Sequence, residues 1–380
     1  MSKANTSIIR VAALMVCALL AACQSTQKPI SRIAPSLPAP VATHEFEIDP
    51  KRDDVVGGLQ RIHARDEDTL SDIARRFNVG YEEIVSANPG VDPWLPKAGT
   101  EIIVPTRFVL PEAPRQGVVI NLAAMRLFYF PKAKPGELQK VITHPIGIGR
   151  VEWKTPEGTT KVVAKVEAPT WIPTRNIRKE HAANGDPLPA KVLPGPDNPM
   201  GTHVLRLGWP AYAIHGTNKP PSIGLRGSHG CMRLYPEDIV RLYEQVPVGT
   251  PVTVVNQPYL FGWHGDTLYM QAYPVLEDDK RNHKKLTDRL LANLRKSKKS
   301  KLDTRPEAIV NPALVAELTD NPRVLVMPVS AKKGIEGLSL QQHVANTPYV
   351  ENRVPINATW DGDMSEQLTA AEVMENAAIP

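Results

Sequence analysis

Between Gly117 and Asn256 the apolar residues fall into short runs of strand length, with little helical striping. Gln116-Gly117 precedes VVINLAAMRLFYF, two such runs joined at Leu122 to Met125, which predicts a hairpin. KVITHPIGIG, TKVVAKVEAP and GTPVTVVN predict further strands, because β-branched residues suit a pleated, half-buried surface. One segment breaks the pattern. Pro236-Glu237-Asp238 opens Ile239, Leu242, Tyr243 and Val246 at helical spacing, with proline where no N–H is needed and acids at the positive end of the helix dipole. The expectation over 115–257 is a mainly β domain carrying one docked helix.

Upstream, residues 59–107 show a different rhythm. A short strand around Arg61-Ile62-His63 is followed by Asp68-Thr69 as a helix start, with Leu70, Ile73, Ala74 and Phe77 at helical spacing. A second helix runs from Tyr81 to Ala87 and stops at Asn88-Pro89-Gly90, and Thr100 to Val104 is a β-branched strand closed by Pro105. The order β-α-α-β in so short a span, with Asp68-Thr69-Leu70, Ile73-Ala74, Phe77, Ile84, Ala87-Asn88 and Ile103-Val104-Pro105 in place, resembles a LysM domain. That resemblance implies binding of N-acetylglucosamine-containing glycans in a groove between the turn before helix one and the loop after helix two. Its candidate contacts are Asp68, Thr69, Asn88 and Pro89. Thr69 and Asn88 also read as a cap and a turn former, since short polar side chains bond readily to nearby backbone.

The ends of the chain add a compartment. Lys3 and Arg10 precede or interrupt an apolar run from Ile8 to Ala22, shorter than the roughly 20 apolar residues that cross a bilayer, so residues 1–22 read as a secretory signal. Leu20-Ala21-Ala22-Cys23 resembles the lipobox of bacterial lipoproteins, which implies lipid on Cys23; an ordinary signal with Cys23 incidental is the alternative. Residues 23–58 are rich in Pro, Ser and Ala and read as an extended tether. Residues 258–380 form a C-terminal extension of unknown role. Within it, KRNHKKLTDRLLANLRKSKKSK is a basic amphipathic stretch that suits either an exposed connecting helix or contact with anionic polymer or lipid. Arg323 to Met327 is strand-like, and the chain ends in a polar, acidic, helix-like tail.

Composition agrees with a folded, β-rich chain: 42% of residues are hydrophobic, and 37 prolines with 24 glycines favour turns over long helices. The net charge of +5, about +3 without Lys3 and Arg10, is too mild and dispersed to argue for nucleic acid. An anionic wall or membrane surface is compatible with it.

Three cysteines become one by subtraction. Cys17 leaves with the signal and Cys23 takes lipid, so Cys231 is the only thiol of the mature chain and has no internal disulfide partner. It sits in Gly227-Ser-His-Gly-Cys-Met-Arg-Leu234, a polar and glycine-rich setting foreign to a buried apolar filler. A free thiol of pKa about 8.5 is only a few per cent thiolate at neutral pH, so a nucleophilic role demands a base nearby. His229 is two residues away, and on an extended chain such neighbours point the same way without facing each other. His215 ends the strand-like Ala211 to Ile214, and the turn-rich TNKPPSIGLRG after it brings His215 and Cys231 to the ends of neighbouring strands. Gly230 lets a carbonyl approach the amides of Gly230 and Cys231, donors for a developing oxyanion.

His215-Gly216-Thr217 and Ser228-His229-Gly230-Cys231-Met232-Arg233, with Asn198 to Gly201, Tyr212 to Pro220 and Leu234 to Asp238, resemble the signature of the YkuD-type L,D-transpeptidases from about Val118 to Asn256. The resemblance implies a β-sandwich-like catalytic domain over 115–257, Cys231 as nucleophile, His215 as general base oriented by the carbonyl of Gly216, and His229, Gly230 and the Cys231 amide around the oxyanion. Ser228 and Arg233 then hold the loop or contact substrate carboxylates; the usual signature ends in Asn where Arg233 stands. The implied reaction is attack on the third residue of a peptidoglycan stem peptide, release of D-alanine, and transfer to an amine: another stem or a lysine of an outer-membrane lipoprotein. Water as acceptor gives a carboxypeptidase or a hydrolase of such links. No cofactor or metal is called for. Two other readings stay open: a zinc site from His203, His215, His229 and Cys231, and a non-catalytic peptidoglycan-binding lipoprotein. The implied location is the periplasm, with lipid on Cys23 in a membrane, the outer one above all.

Overall fold

The computed structural model of the protein describes residues 42–134, 136–296, 309–331, 339–350 and 352. The expected signal segment, Cys23, the first part of the tether and the acidic tail lie outside the described residues.

The architecture is mainly β, as expected. Nine strands form one sheet in the order His44–Ile48, Gln139–Pro145, Arg126–Phe130, Gly117–Asn121, Pro251–Val255, Gly158–Glu167, His203–Leu207, Ala213–His215, Met232–Arg233. The expected hairpin is there, with Gly117 opposite Phe130 and Asn121 opposite Arg126. Helix Pro236–Gln245 buries Ile239 and Leu242 into a core that includes Val118, Ile120, Leu127, Val162, Leu205, Ile214, Met232 and Val252. Each such side chain contributes about 1.5–3 kcal/mol on leaving water, so this cluster fixes the sheet on which the polar site is mounted.

Two features depart from the sequence expectation. The segment read as tether through residue 58 is partly built in: His44–Ile48 pairs antiparallel with Gln139–Pro145, and Val55–Gly57 pairs with Arg107–Val109. HEFEI alternates, but it is too short to announce itself beside so many prolines, and its partner lies far along the chain. A second helix, Arg175–Ala183, also occurs in the catalytic region. It buries only Ile177 and His181, so no apolar stripe predicted it.

The β-α-α-β unit is Gln60–His63, Leu70–Arg76, Tyr81–Ala87 and Glu101–Val104, with the two strands antiparallel. Thr69 caps its first helix reciprocally with Asp72: Oγ1 accepts the Asp72 amide at 3.1 Å and the Asp72 carboxylate accepts the Thr69 amide at 3.0 Å.

This unit is bonded into the large sheet through buried polar groups. Arg126 donates through Nε (2.8 Å) and Nη2 (2.6 Å) to the Glu83 carboxylate. Asn78 donates to Asp238 at 2.8 Å, Arg75 pairs with Glu237 at 3.1 Å, and the Tyr235 hydroxyl donates to the Val79 carbonyl at 3.2 Å. Gly224, at φ +85°, lets the backbones touch; a Cβ there would lie 2.2 Å from the Tyr81 nitrogen. The C-terminal extension contributes the strands Tyr259–His264, Thr267–Ala272 and Val326–Pro328 and helix Pro312–Asp320. Their Trp263, Leu268, Met270, Leu314 and Leu318 share a core with Leu59, Ala87 and Ile103 of the β-α-α-β region. The basic stretch includes a helix, His283–Lys296.

Candidate active site

Strands Ala213–His215 and Met232–Arg233 are parallel neighbours, with Ile214 opposite Met232 and His215 opposite Arg233. Cys231 stands one residue before its strand. Continuing this register puts Cys231 level with Ala213, on the same face as His215 and one strand away, with roughly 8 Å between their Cα atoms from the spacings of a sheet. The register therefore sets the two side chains on one face of neighbouring strands.

His215 is buried, and its Nδ1 lies 2.6 Å from the carbonyl oxygen of its own neighbour Gly216. A carbonyl only accepts, so the proton sits on Nδ1 and Nε2 keeps its lone pair. Burial, aided by the Arg233 charge, lowers the pKa of His215 to about 3. The thiol of Cys231 is half-buried, with Sγ 3.5 Å from the Ala211 carbonyl. Burial pushes its pKa up, while the Ala213 amide and the charges of Arg233 and Arg206 pull the other way. At neutral pH the resting pair is therefore a thiol and a neutral imidazole.

The loop before the nucleophile is clamped from several sides. Ser228 Oγ donates to the Cys231 carbonyl at 2.6 Å and accepts the Gly230 amide at 3.1 Å. Thr155 donates to the Gly230 carbonyl at 2.9 Å, and the Arg150 amide donates to the Ser228 carbonyl at 3.0 Å. Gly230 has φ +101°, and a Cβ there would sit 2.9 Å from Cε1 of Tyr212, so only glycine is comfortable. One expectation changes as a result: the Gly230 amide is occupied by Ser228, which leaves the Cys231 amide as the backbone donor of the pair to be considered. His229 accepts at Nε2 from Arg150 Nη2 at 3.0 Å, and its buried Nδ1 has no partner among the described residues. Burial first, then Arg150, His181 and Arg233, lowers the His229 pKa to about 3.

Sequence reasoning missed Arg150, Trp153, Thr155 and Glu180. Glu180, on the unforeseen helix, bonds to Arg150, accepts from the Trp153 indole at 2.9 Å and lies 3.4 Å from His229 Nε2. No spacing rule links a turn at 150–155, a helix at 175–183 and a loop at 228–231, so only the fold reveals the cluster.

Other candidates fall differently. Arg233 is 3% exposed and donates to the Gly227 carbonyl at 3.3 Å, so it and Ser228 hold the loop from within and do not present themselves to a substrate carboxylate. Asp68 is buried against Arg76, with Asn352 also bonded to it. Asn88 donates to the carbonyls of Ile84 and Ile103 and accepts the Ile103 amide, all at 2.7–2.8 Å. Asp68, Thr69 and Asn88 thus spend their polar atoms inside the fold, and Pro89 is the exposed member of the four. His203 approaches Thr202 at 2.9 Å and meets the Tyr243 ring edge-on; no group of three or more metal-capable side chains occurs among the described residues.

Comparison with known proteins bears on the family of the chain. The model of the YkuD L,D-transpeptidase catalytic domain matches residues 115–254, and that of the LysM domain matches residues 64–105. The Escherichia coli protein named "Probable L,D-transpeptidase YbiS" is 49% identical over 190 residues, 50% of this chain and 60% of that protein's length. "Probable L,D-transpeptidase YcfS" of the same organism is 42% identical over 231 residues, 59% of this chain and 71% of that protein. A solved catalytic domain of an E. faecium L,D-transpeptidase matches at 23% identity and a TM-score of 0.28, over 38% of this chain and 99% of that one. With two thirds of a relative covered at this identity, the chain belongs to the L,D-transpeptidases, an enzyme family, and carries a LysM domain ahead of the catalytic one.

Proposed function

We propose that this chain is a cysteine-dependent peptidoglycan L,D-transpeptidase. The observation that carries the reading is the arrangement of Cys231 and His215: a thiol and a neutral imidazole on one face of neighbouring parallel strands, with the ring oriented through Nδ1 by the Gly216 carbonyl.

In the first half-reaction His215 Nε2 takes the Cys231 proton as sulfur attacks the carbonyl of the third stem-peptide residue, a diaminopimelate. The oxyanion is met by the Cys231 amide, a fixed dipole that needs no reorganisation. Collapse breaks the bond to D-alanine, whose amine leaves with the proton held by His215, and a thioester forms. In the second, an amine of another stem or of a lipoprotein lysine attacks the thioester and gives its proton to His215. The C–S bond then breaks and the thiol takes that proton back. Water in place of the amine makes the same site a carboxypeptidase. The LysM domain, bonded rigidly beside the catalytic sheet, is suited to hold the glycan strand to which the stems are attached. Leu20 to Cys23 support a periplasmic lipoprotein held in the outer membrane.

The test is digestion of a disaccharide tetrapeptide, with and without an amine acceptor, followed by mass spectrometry of products. D-Alanine release that Cys231→Ala abolishes supports the reading; undiminished release by that variant contradicts it. Membrane fractionation of Cys23→Ala tests the anchor, and membrane association that survives the substitution contradicts it.

A further inference from the structure

We infer that Glu180 is a positioning residue for the catalytic loop: through Arg150 it fixes the tautomer of His229, so that this ring offers an Nδ1–H as a second donor beside the Cys231 amide. The inference rests on the acyl-transfer reading.

The chain of contacts is continuous. Glu180 lies on helix Arg175–Ala183, which Thr174 caps and which buries just two of its own residues. Its carboxylate is bonded to the Arg150 guanidinium and to the Trp153 indole, and Trp153 packs its ring against His229 with centroids 4.8 Å apart. Arg150 is the hinge of the arrangement. Its amide holds the Ser228 carbonyl, and its Nη2 reaches His229 Nε2 at 3.0 Å. A guanidinium has no lone pair to offer, so this contact requires an acceptor at Nε2 and places the imidazole proton on Nδ1. That Nδ1 is buried and finds no hydrogen-bond partner among the described residues, so the loop before the nucleophile carries an unpaired ring donor. His229 is two residues from Cys231, and the Gly230 amide between them is already given to Ser228. An oxyanion formed at Cys231 thus lacks one of the two amides expected for it, and the His229 N–H fills that place.

The ionised and titratable groups facing His229 are Arg150, Glu180, His181 and Arg233, and Arg150 in turn has Glu152 at 3.9 Å. With Arg150 in place, His229 stays neutral across the physiological range. Without it, the carboxylate of Glu180, 3.4 Å from Nε2, becomes the nearest partner and favours the imidazolium.

The experiment follows D-alanine release from the disaccharide tetrapeptide between pH 5 and 9 in the full-length protein, together with 15N NMR of the His229 ring. Wild type is expected to show Nδ1–H and no His229 ionisation between pH 5 and 8. Glu180→Gln is expected to lower kcat about 10- to 100-fold with little change in KM, the scale of a misplaced reacting group. Arg150→Met is expected to introduce an ionisation between pH 5 and 8, and Arg150→Met/Glu180→Gln to remove it again at reduced rate. A purely structural role does not produce that loss and recovery of pH dependence. A wild-type ring protonated at Nε2, or Arg150→Met with the wild-type pH profile, overturns the inference. Failure of wild type to release D-alanine counts against the acyl-transfer reading, while the NMR tautomer still decides the positioning claim.

Discussion

Glu83 and Arg126 join the LysM helix Tyr81–Ala87 to the strand Arg126–Phe130, and removing one charge tests how firmly. Arg126 is fully buried, and its guanidinium lies 4.1 Å from the Phe108 ring centroid. Its other acceptors, Thr143 Oγ1 at 3.3 Å and the Asn78 carbonyl at 3.2 Å, are neutral. Glu83→Gln preserves the size of the side chain and the bond from the Gly80 amide, but leaves a buried cation with no counter-charge. Breaking a buried pair in this way costs about 3–5 kcal/mol. At about 2–4 °C per kcal/mol for a cooperative unit of a few hundred residues, the melting temperature should fall by roughly 6–20 °C. Arg126→Met on the Glu83→Gln background removes the stranded charge and should recover most of the loss, because apolar replacement of a buried pair is often close to neutral. Calorimetry and urea titration of the full chain read both values, and a double-mutant cycle gives the coupling. A cost below about 1 kcal/mol for Glu83→Gln, or a double variant less stable than the single, would refute the claim that this pair bonds the two domains.

Three further outcomes follow from the same geometry. Gly230→Ala forces a side chain into the left-handed region against Tyr212, which should cost about 1–3 kcal/mol locally and depress acylation far more than overall stability; stopped-flow kinetics and circular dichroism separate the two. Asn88→Ala strands the Ile103 backbone groups and should lower stability by about 2–3 kcal/mol, with weakened peptidoglycan pull-down only where the protein has unfolded. Acid should destabilise the chain well before carboxylates protonate. His44 (about 4), His215 and His229 (each about 3) all lie below the ordinary histidine value near 6.5. The unfolded chain therefore binds more protons than the fold between those values, so their contribution is complete above pH 6.5 and is lost as pH falls toward 4 and 3. Thermal melts at pH 7.5 and pH 5 check this, and an unchanged midpoint argues against burial of the neutral rings.

What the sequence disclosed depended on how local the information was. The hairpin at 117–130, the helix from Pro236 and the β-α-α-β unit were readable because their periodicities are complete within one segment. The placement of His215 and Cys231 at neighbouring strands was readable because one turn-rich connection links them. Strand His44–Ile48 was not, since its partner, almost a hundred residues on, supplies the pairing that its own short alternation lacks. Nothing in the local sequence sets Arg150 and Glu180 apart, because three remote segments meet at His229. Asp68 and Asn88 show the converse. Polar residues at turns invite a binding role, yet Arg76 and the Ile103 backbone had already claimed them.

The central claim is that Cys231 carries the acyl group. Intact-protein mass spectrometry of the chain quenched in acid during turnover of a disaccharide tetrapeptide, followed by peptide mapping, measures it directly. The account predicts an adduct equal to the substrate less D-alanine, located on Cys231, labile to amines, and absent from Cys231→Ala. A chain that releases D-alanine with no adduct on Cys231, or an adduct mapped to another residue, would contradict it.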